Sequence, residues 1–384
     1  MTTRRHVLEW LAAAPMLAAC GGGALPDPIA AWRDPGAGET DLRRFALAHA
    51  ILAPNPHNTQ PWLVELDDAD GMTLYCDLDR RLPFTDPLDR QITIGCGCFI
   101  ELYRIASAQR GYAPAIEDFP EGEPAPRLDA RPVARVRIGA RTGDPYPDPS
   151  AAAILDRRTN RKPFDARVPD TQLLEELANV VGGMGEDYAG GVYWTTEPAR
   201  VAQTRDLVWR AWDRELRTQG AAAETFEWLR FGREEIARHG DGLAIDAPGV
   251  GIFRMLGQLD REELVDPESQ ANKTAARDWR ELAMTAPAFL WLTSIGDTPG
   301  ARVGAGRAYA RIALAATEMG LAIHPWSQAL QEYEEMSDLY VEMRTLLAPP
   351  EGETAQMLVR IGYGETMPPS PRRGVEPLLR PRAL

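Results

Sequence analysis

The feature that most constrains how this 384-residue chain can fold is an internal repeat. When the sequence is shifted by 209 positions, the Gly-Cys-Gly of residues 95–97 falls on the Gly-Ala-Gly of residues 304–306, and Gly111 falls on Gly320. Each copy predicts one long helix that begins with small residues, carries an apolar stripe and ends at a glycine. The strict spacing predicts a chain built from two related halves, and the alternative is a chance match between two glycine-bounded helices.

Composition narrows the class of protein. A hydrophobic content of 44% is ample for a core, and helical patterns such as 205–217 stand beside short β-rich runs such as 289–294, so we expect an α+β fold. The net charge of -14 disfavours binding to nucleic acid. The 5 histidines have no metal-ligand spacing, so we expect no metal site. Cys76, Cys96 and Cys98 are predicted to be buried small hydrophobic residues, with a redox pair as the alternative.

The first residues of the chain have the pattern of an export signal. Arg4 and Arg5 precede an apolar run that is too short to span a bilayer and ends in Leu-Ala-Ala before Cys20. This pattern resembles a twin-arginine lipoprotein signal over residues 1–19, with Cys20 as the lipid anchor and residues 20–40 as a tether. It predicts a periplasmic or cell-envelope lipoprotein that meets the membrane only through that lipid. The alternative is an amphipathic N-terminal helix of a cytosolic protein.

The two predicted halves span residues 41–150 and 151–384, and the second contains an insertion over about 200–281 with no counterpart in the first. Aromatic residues fall at helical spacings in this insertion, for example Trp209 and Trp212. Such a stripe is typical of a helical core. It is also compatible with a lid over a flat cofactor, for which the glycines near 240–242 and 248–251 would be flexible joints.

Two segments carry the chemistry that the sequence predicts. Arg157, Arg158, Thr159 and Arg161 place three guanidinium groups and a hydroxyl within five residues, which suits a phosphate, although a solvated turn in an arginine-rich chain is the alternative. The second segment is a loop that holds Asn58 and Gln60 between prolines and leads to a tryptophan. Amide groups on a rigid turn suit the polar edge of a heterocycle, and a purely structural turn is the alternative.

Together these segments resemble the nitroreductase-like flavoproteins, whose pattern has an Arg-Arg-Ser-x-Arg opening and a later Asn-x-Gln-Pro-Trp. Both are present here in reversed order, which is similar to the single-chain Acg-type FMN-binding proteins. The resemblance implies a nitroreductase fold in which two tandem halves replace the usual homodimer and a helical lid covers the flavin. It also implies one FMN per chain and a monomer, because the dimer interface would lie within the chain.

The resemblance also assigns residues to the cofactor, and it implies no dedicated catalytic side chain. The phosphate and ribityl chain would be bound by the basic opening and by the C-terminal segment, that is by Arg157, Arg158, Thr159, Arg161, Arg372 and Arg373. The flavin ring would be met by Asn58 and Gln60 from the first half and by the loop that contains Pro325 and Trp326. A backbone N–H of that loop would donate to the flavin nitrogen that accepts hydride.

The function that follows is an FMN oxidoreductase that passes hydride or electrons from a small-molecule donor to a small oxidised acceptor of nitro or quinone type. The alternative is a protein that sequesters or stores FMN under the lid without turnover. A closed lid with bulky tryptophans favours this alternative. The predicted export bears on the choice as well: because NAD(P)H is scarce outside the cytoplasm, either a different donor reduces the flavin or no catalysis occurs there.

Overall fold

A computed structural model of the chain describes residues 25–67, 70–139, 141, 148–246 and 261–381. The predicted signal at residues 1–19, the lipid anchor at Cys20 and the predicted joint at 248–251 lie outside the described residues. Within them helices mix along the chain with two antiparallel four-stranded sheets and one short parallel pair of strands, which confirms the α+β class.

The first half places two helices beside a four-stranded sheet. Its elements are α1 (Leu42–Ala50), β1 (Trp62–Leu66), β2 (Gly71–Cys76), α2 (Arg90–Ala108), β3 (Ala115–Asp118) and β4 (Ala134–Arg137). The strands are ordered β1-β2-β4-β3, and every neighbouring pair is antiparallel. The third and fourth strands are thus exchanged relative to their order in the chain.

The second half contains a sheet with the same order of strands. Its elements are α3 (Thr171–Asn179), β5 (Val192–Thr195), α4 (Pro198–Arg217), α5 (Gln219–Glu227), β6 (Leu229–Phe231), α6 (Gly232–His239), β7 (Leu243–Ile245), α7 (Arg261–Val265), α8 (Gln270–Met284), β8 (Ala288–Ile295), α9 (Pro299–Glu318), β9 (Ala322–Pro325), α10 (Ser337–Leu347) and β10 (Glu353–Gly362). The sheet runs β5-β8-β10-β9, all antiparallel, and a long helix again separates its second and third strands. The elements from α4 to α8 form the insertion.

The long helices α2 and α9 pack against each other through the predicted repeat. A Cβ atom on Gly97 would collide with the carbonyl oxygen of Val303, and one on Gly306 would collide with the carbonyl oxygen of Ile94. Both pairs obey the 209-residue offset, so the contact is reciprocal, as at an interface between two identical units. Only glycine allows the backbones to approach this closely.

The hydrophobic core lies around this helix pair and continues on the opposite face of the second sheet. One cluster joins α2 and α9 to both sheets, and a second lies between the second sheet, α4 and α10. The three cysteines of the described chain are free and buried, as predicted, and burial raises the pKa of the Cys96 thiol to about 12. No helix in the described part of the chain is long and apolar enough to cross a membrane.

Part of the predicted tether packs onto the folded body. Residues 30–32 form a 3-10 turn, and the side chain of Trp32 is buried. Its indole nitrogen donates to the carbonyl oxygen of Ser370 at 2.7 Å. The described residues after Leu25 therefore form a strap against the C-terminal segment, because an indole is too apolar to remain in solvent when a groove is available.

Candidate functional site

The loop that contains Asn58 and Gln60 is held in an uncommon backbone conformation. His57, Asn58 and Gln60 have positive φ angles of 47°, 54° and 52°, which non-glycine residues adopt at a cost. The Oδ1 atom of Asn55 accepts from the backbone N–H of Gln60 at 2.8 Å and closes the turn. The strain is stored where the sequence predicts a binding loop.

The two predicted amides connect this loop to the insertion and to the C-terminal segment. Asn58 Nδ2 donates to the carbonyl oxygen of Gly242 at 3.0 Å, and Gln60 Nε2 donates to that of Gly240 at 2.9 Å. Asn58 Oδ1 accepts from Arg372 at 2.6 Å, and Gln60 Oε1 accepts from the backbone N–H of Arg373 at 3.0 Å. Both side chains are therefore committed to the protein and shape the site from its edge.

The basic opening meets the C-terminal segment beside the residues that precede this loop. Arg157 and Arg372 each donate to the carbonyl oxygen of Leu52 at 3.2 Å. The guanidinium of Arg158 lies 4.5 Å from the ring centroid of Trp32, and that of Arg372 lies 5.2 Å from the same ring. Segments more than two hundred residues apart in the sequence are thus brought to one place, as the resemblance implies.

The last basic residue of the opening lies toward the second sheet. The backbone N–H of Asn160 donates to the carbonyl oxygen of Ile323 at 2.9 Å, which anchors the segment beside β9. Arg360, in β10, donates to the carbonyl oxygens of Asn160 and Lys162 at 3.0 and 2.8 Å. Arg161 lies between these two anchored residues, and within the described chain it forms no hydrogen bond or ion pair.

Six arginines make up what we call the basic cluster, and none of them forms an ion pair with a carboxylate in the described residues. They are Arg157, Arg158, Arg161, Arg360, Arg372 and Arg373. Arg157, Arg360 and Arg372 are buried, and the other three are half-buried. So much unpaired charge inside a protein of net charge -14 is costly without an anionic ligand.

Burial lowers the pKa of every arginine of the basic cluster, and repulsion from another member adds to this at Arg158, Arg161, Arg360 and Arg372. Burial is the main cause, and it lowers the pKa of Arg158, Arg161 and Arg373 to about 10 and that of Arg360 to about 9. The charge of Arg157 contributes to the lowering at Arg158 and Arg161. With these pKa values, Arg158, Arg161, Arg360 and Arg373 remain charged near neutral pH.

Several nitrogen donors of the basic cluster have no partner. Nε and Nη1 of Arg157, Nε of Arg158 and Nε of Arg373 are buried without a hydrogen bond in the described structure. The hydroxyl of Tyr309 is likewise buried and unpartnered, and it is affected by the charges of Arg157 and Arg161. Buried donors of this kind are rare in native proteins unless a ligand or water accepts from them.

The end of β9, which leads into the loop at Trp326, adds a histidine whose tautomer is fixed. Nε of Arg360 donates to Nδ1 of His324 at 3.0 Å. Because an arginine nitrogen can only donate, Nδ1 carries no proton, and the neutral ring carries its proton on Nε2. Burial, with the charges of Arg360 and Arg161, holds the pKa of His324 well below its ordinary range. His324 is thus a neutral hydrogen-bond donor.

Two backbone positions of the predicted loop 324–327 are not available to a flavin nitrogen. The N–H of Trp326 donates to the carbonyl oxygen of Leu358 at 2.8 Å, and Pro325 is paired with Val359 of β10 and has no N–H to offer. The Trp326 amide is therefore not free to bond a flavin nitrogen, because the loop continues the sheet for one more residue. The indole of Trp326 is buried, and its nitrogen has no partner in the described chain.

The insertion covers the site from two sides. Its Gly240 and Gly242 hold the amide loop, and Asp241 between them accepts from Arg80 at 2.7 Å and from Arg230 at 2.9 Å. On the other side, the ring centroid of Trp279 in α8 lies 5.7 Å from that of Trp326, in an edge-to-face arrangement. The aromatic stripe is therefore compatible with both a helical core and a lid. Trp212 stacks on Trp279 within the insertion, and Trp279 in turn contacts the site.

The structure brings together most of the predicted residues. Arg157, Arg158, Arg372, Arg373, Asn58 and Gln60 are linked by the contacts above, whereas Thr159 is half-buried and forms no side-chain hydrogen bond in the described chain. The sequence patterns do not point to Arg360, Trp32 or Tyr309 as site residues. The sequence does contain an indication for Arg360, which is the single charged residue in the apolar part of β10, residues 357–361. A charged side chain is rarely buried in a strand unless it has a partner or a ligand. No cluster in the described residues could hold a metal ion.

Comparison with known proteins gives similarity over most of the chain. No family model matches the sequence. The chain is 28% identical over 362 residues to the proposed NAD(P)H nitroreductase acg of Mycobacterium tuberculosis, which covers 90% of this chain and 97% of that protein. It is 26% identical over 344 residues to the proposed NAD(P)H nitroreductase Rv3131 of the same organism. This match covers 87% of this chain and 90% of that protein.

Solved nitroreductase structures are also similar to the chain. The FMN- and NADPH-dependent nitroreductase NfnB of a Sphigopyxis species matches at 17% identity, 61% of this chain, 99% of that chain and a TM-score of 0.37. A Bacteroides fragilis nitroreductase with bound FMN matches at 15% identity and a TM-score of 0.32. The match covers 57% of this chain and 89% of that chain.

Proposed function

We propose that the chain is an FMN-dependent oxidoreductase of the nitroreductase fold, with the FMN phosphate bound in the basic cluster. The observation that carries the proposal is the set of six guanidinium groups that lack an ion-pair partner in the described residues. A phosphate of about two negative charges, with its three free oxygens, would offset much of that charge.

The residues present fit such a group. The unpartnered nitrogens of Arg157, Arg158 and Arg373 are N–H donors only, so they call for an acceptor. Arg372 already donates to four carbonyl oxygens and the Asn58 side chain, so it would hold the amide loop and the C-terminal segment in place beneath the phosphate. When bound, FMN supplies the hydride and electron chemistry that no side chain of the site can supply.

The sequence relatives support a redox reaction with small-molecule partners. Two relatives that match most of this chain are proposed to be NAD(P)H nitroreductases, which favours NAD(P)H as donor and a nitro compound or quinone as acceptor. His324 would offer such an acceptor a neutral N–H donor beside Trp326. A fixed donor aimed at an oxygen that gains negative charge is a common way to favour reduction of a nitro or carbonyl group.

A second candidate, storage of FMN without turnover, is favoured by the way the insertion closes. The loop at Gly240–Gly242 is hydrogen-bonded to Asn58 and Gln60, and its Asp241 is buried in two ion pairs. A cover held this firmly would slow exchange of any substrate.

Flavin content tests the shared part of both candidates. We would purify the full chain with Cys20→Ser, which removes the proposed lipid anchor, and quantify flavin released on denaturation. The expected result is a yellow protein near one FMN per chain, and loss of the flavin from the variant Arg157→Gln with Arg161→Gln. The matched control is Arg210→Gln with Arg214→Gln, which removes two exposed arginines on α4 that pair with Glu342 and Asp338. A folded protein that does not bind added FMN would refute the proposal.

Turnover separates the two candidates. Steady oxidation of NAD(P)H in the presence of a nitro compound or quinone is expected for the oxidoreductase. Tight FMN that neither NADH nor NADPH reduces would instead establish the storage protein.

We also propose that the chain is exported by the twin-arginine route, is anchored by a lipid at Cys20 and is a monomer made of two duplicated halves. The reciprocal contact of Gly97 and Gly306 supports duplication, since it fills within one chain the interface that a homodimer would use. Labelling with a radioactive fatty acid should mark the wild type and not Cys20→Ser, and light scattering should give the mass of one chain.

A further inference from the structure

A buried carboxylate in the insertion is connected to the amide loop by a chain of hydrogen bonds. Glu215 of α4 is 4% exposed. Its Oε1 accepts from the hydroxyl of Thr225 at 3.0 Å, and its Oε2 accepts from Nε2 of Gln331 at 2.9 Å. The Thr225 oxygen lies 3.2 Å from Nε2 of His57, whose other nitrogen, Nδ1, is buried and has no partner in the described chain.

The protons in this series of hydrogen bonds can be arranged in only two ways. Because the Gln331 amide donates to Oε2, a proton on Glu215 must lie on Oε1 and point at Thr225. The Thr225 hydroxyl has one proton, so it then donates to Nε2 of His57, and the neutral ring carries its own proton on Nδ1. When Glu215 is ionised, the bond between Glu215 and Thr225 and the bond between Thr225 and His57 both reverse, Nε2 carries the ring proton, and Nδ1 becomes an acceptor.

We propose that Glu215, Thr225 and His57 form a proton relay whose delivering atom is Nδ1 of His57, and that it supplies the proton consumed when the acceptor is reduced. The proposal rests on the proposed oxidoreductase function. The proton on Nδ1 passes to the acceptor, the Thr225 proton moves to Nε2, and the Glu215 proton moves to Thr225. One proton leaves Glu215, the imidazole is neutral before and after, and hydride plus this proton completes a two-electron reduction.

The electrostatics suit a carboxylic acid that both holds and releases a proton near neutral pH. Burial, with a smaller contribution from the nearby Glu224, raises the pKa of Glu215 to about 7, against the opposing effect of the two hydrogen bonds that it accepts. The Tyr333 hydroxyl also faces Glu215, with Arg214 and Glu335 acting on that tyrosine. Burial and the charge of Arg161 lower the pKa of His57 to about 4, so the ring stays neutral throughout.

Nitrogen-15 NMR of histidine in the FMN-loaded protein tests the tautomer exchange directly. As pH rises through about 7, the protonated nitrogen of His57 is expected to change from Nδ1 to Nε2 without the ring becoming charged. Glu215→Gln should abolish this change, Thr225→Val should uncouple it and Thr225→Ser should restore it. Asp86→Asn is the matched control, because Asp86 is a buried carboxyl whose pKa is also raised to about 7 but which bonds the start of α2 instead.

Kinetics test delivery of the proton. Glu215→Gln is expected to slow the reoxidation of reduced enzyme by the acceptor about 100-fold or more, the usual contribution of a positioned acid, with the affinity for FMN unchanged. A His57 tautomer that ignores pH, or that changes equally in Glu215→Gln, overturns the relay even in a protein that binds FMN. A protein that binds no FMN refutes the proposed function instead, and the tautomer measurement still decides whether the three residues are coupled.

Discussion

Removal of Arg161 should have opposite effects on the empty protein and on its affinity for FMN. In the described chain this guanidinium forms no hydrogen bond or ion pair, and it faces the charge of Arg157. Arg161→Gln therefore breaks no bond within the protein. It removes a charge that only a ligand could offset.

The magnitude follows from the pKa. Burial, with a smaller contribution from Arg157, lowers the pKa of Arg161 to about 10. Relative to an ordinary arginine this is a cost of roughly 3 kcal/mol at neutral pH, since each pKa unit is worth about 1.4 kcal/mol. Gln keeps part of the packing, so we expect the flavin-free variant to be stabilised by about 1–3 kcal/mol, or roughly 2–6 °C in Tm.

The same change should weaken the binding of FMN. A charge-assisted hydrogen bond contributes about 1.5–3 kcal/mol, so the Kd for FMN should rise by roughly 10- to 100-fold. Thermal unfolding of flavin-free protein and titration of flavin fluorescence measure the two effects, with Arg210→Gln on the surface as control. A flavin-free variant that is less stable than wild type and binds FMN equally well would refute the reasoning, because Arg161 would then be structural.

Three further changes follow from the geometry. Gly306→Ala forces a Cβ into a backbone carbonyl and should cost about 2 kcal/mol or more in urea unfolding, whereas Gly182→Ala, with open space around it, should be nearly neutral. Arg360→Met removes the donor and the charge that fix His324, so the pKa of that ring should rise, and NMR should detect a mixture of its tautomers. Asp241→Asn removes the charge that holds the cover closed, and FMN should dissociate about tenfold faster in a stopped-flow fluorescence assay.

The repeat and the local patterns predict much of the fold because they depend on short-range physics. The glycines at 97 and 306 mark positions where two backbones meet, and the apolar stripes mark the faces that pack. The order of the strands within each sheet could not be predicted, because exchange of the last two strands leaves the periodicity unchanged. The strap around Trp32 was missed for a related reason, since glycine and proline around it are equally typical of a tether.

The site could be predicted where residue type alone limits the chemistry. Three arginines within five residues indicate an anion site, and in the structure Arg157 of this segment and Arg372 donate to the same carbonyl oxygen. The partners of Asn58 and Gln60 lie in Gly240–Gly242, about 180 residues away, and backbone carbonyls there have no signature in a sequence. The same is true of Arg360, whose role depends on two carbonyl oxygens and on one nitrogen of a histidine.

Charge pairing explains why a chain with two similar halves should hold a single cofactor. The first half has its own Arg-Arg pair at the start of α1, where a second basic opening would stand. Arg43 is bonded to Asp41 at 2.6 Å, and Arg44 pairs with Glu39 and Glu376. These guanidinium groups have carboxylate partners, so a phosphate there would have to displace an existing anion, at a cost that the basic cluster does not impose. Half of the chain thus provides the anion site, and the other half provides Asn58 and Gln60 at its edge.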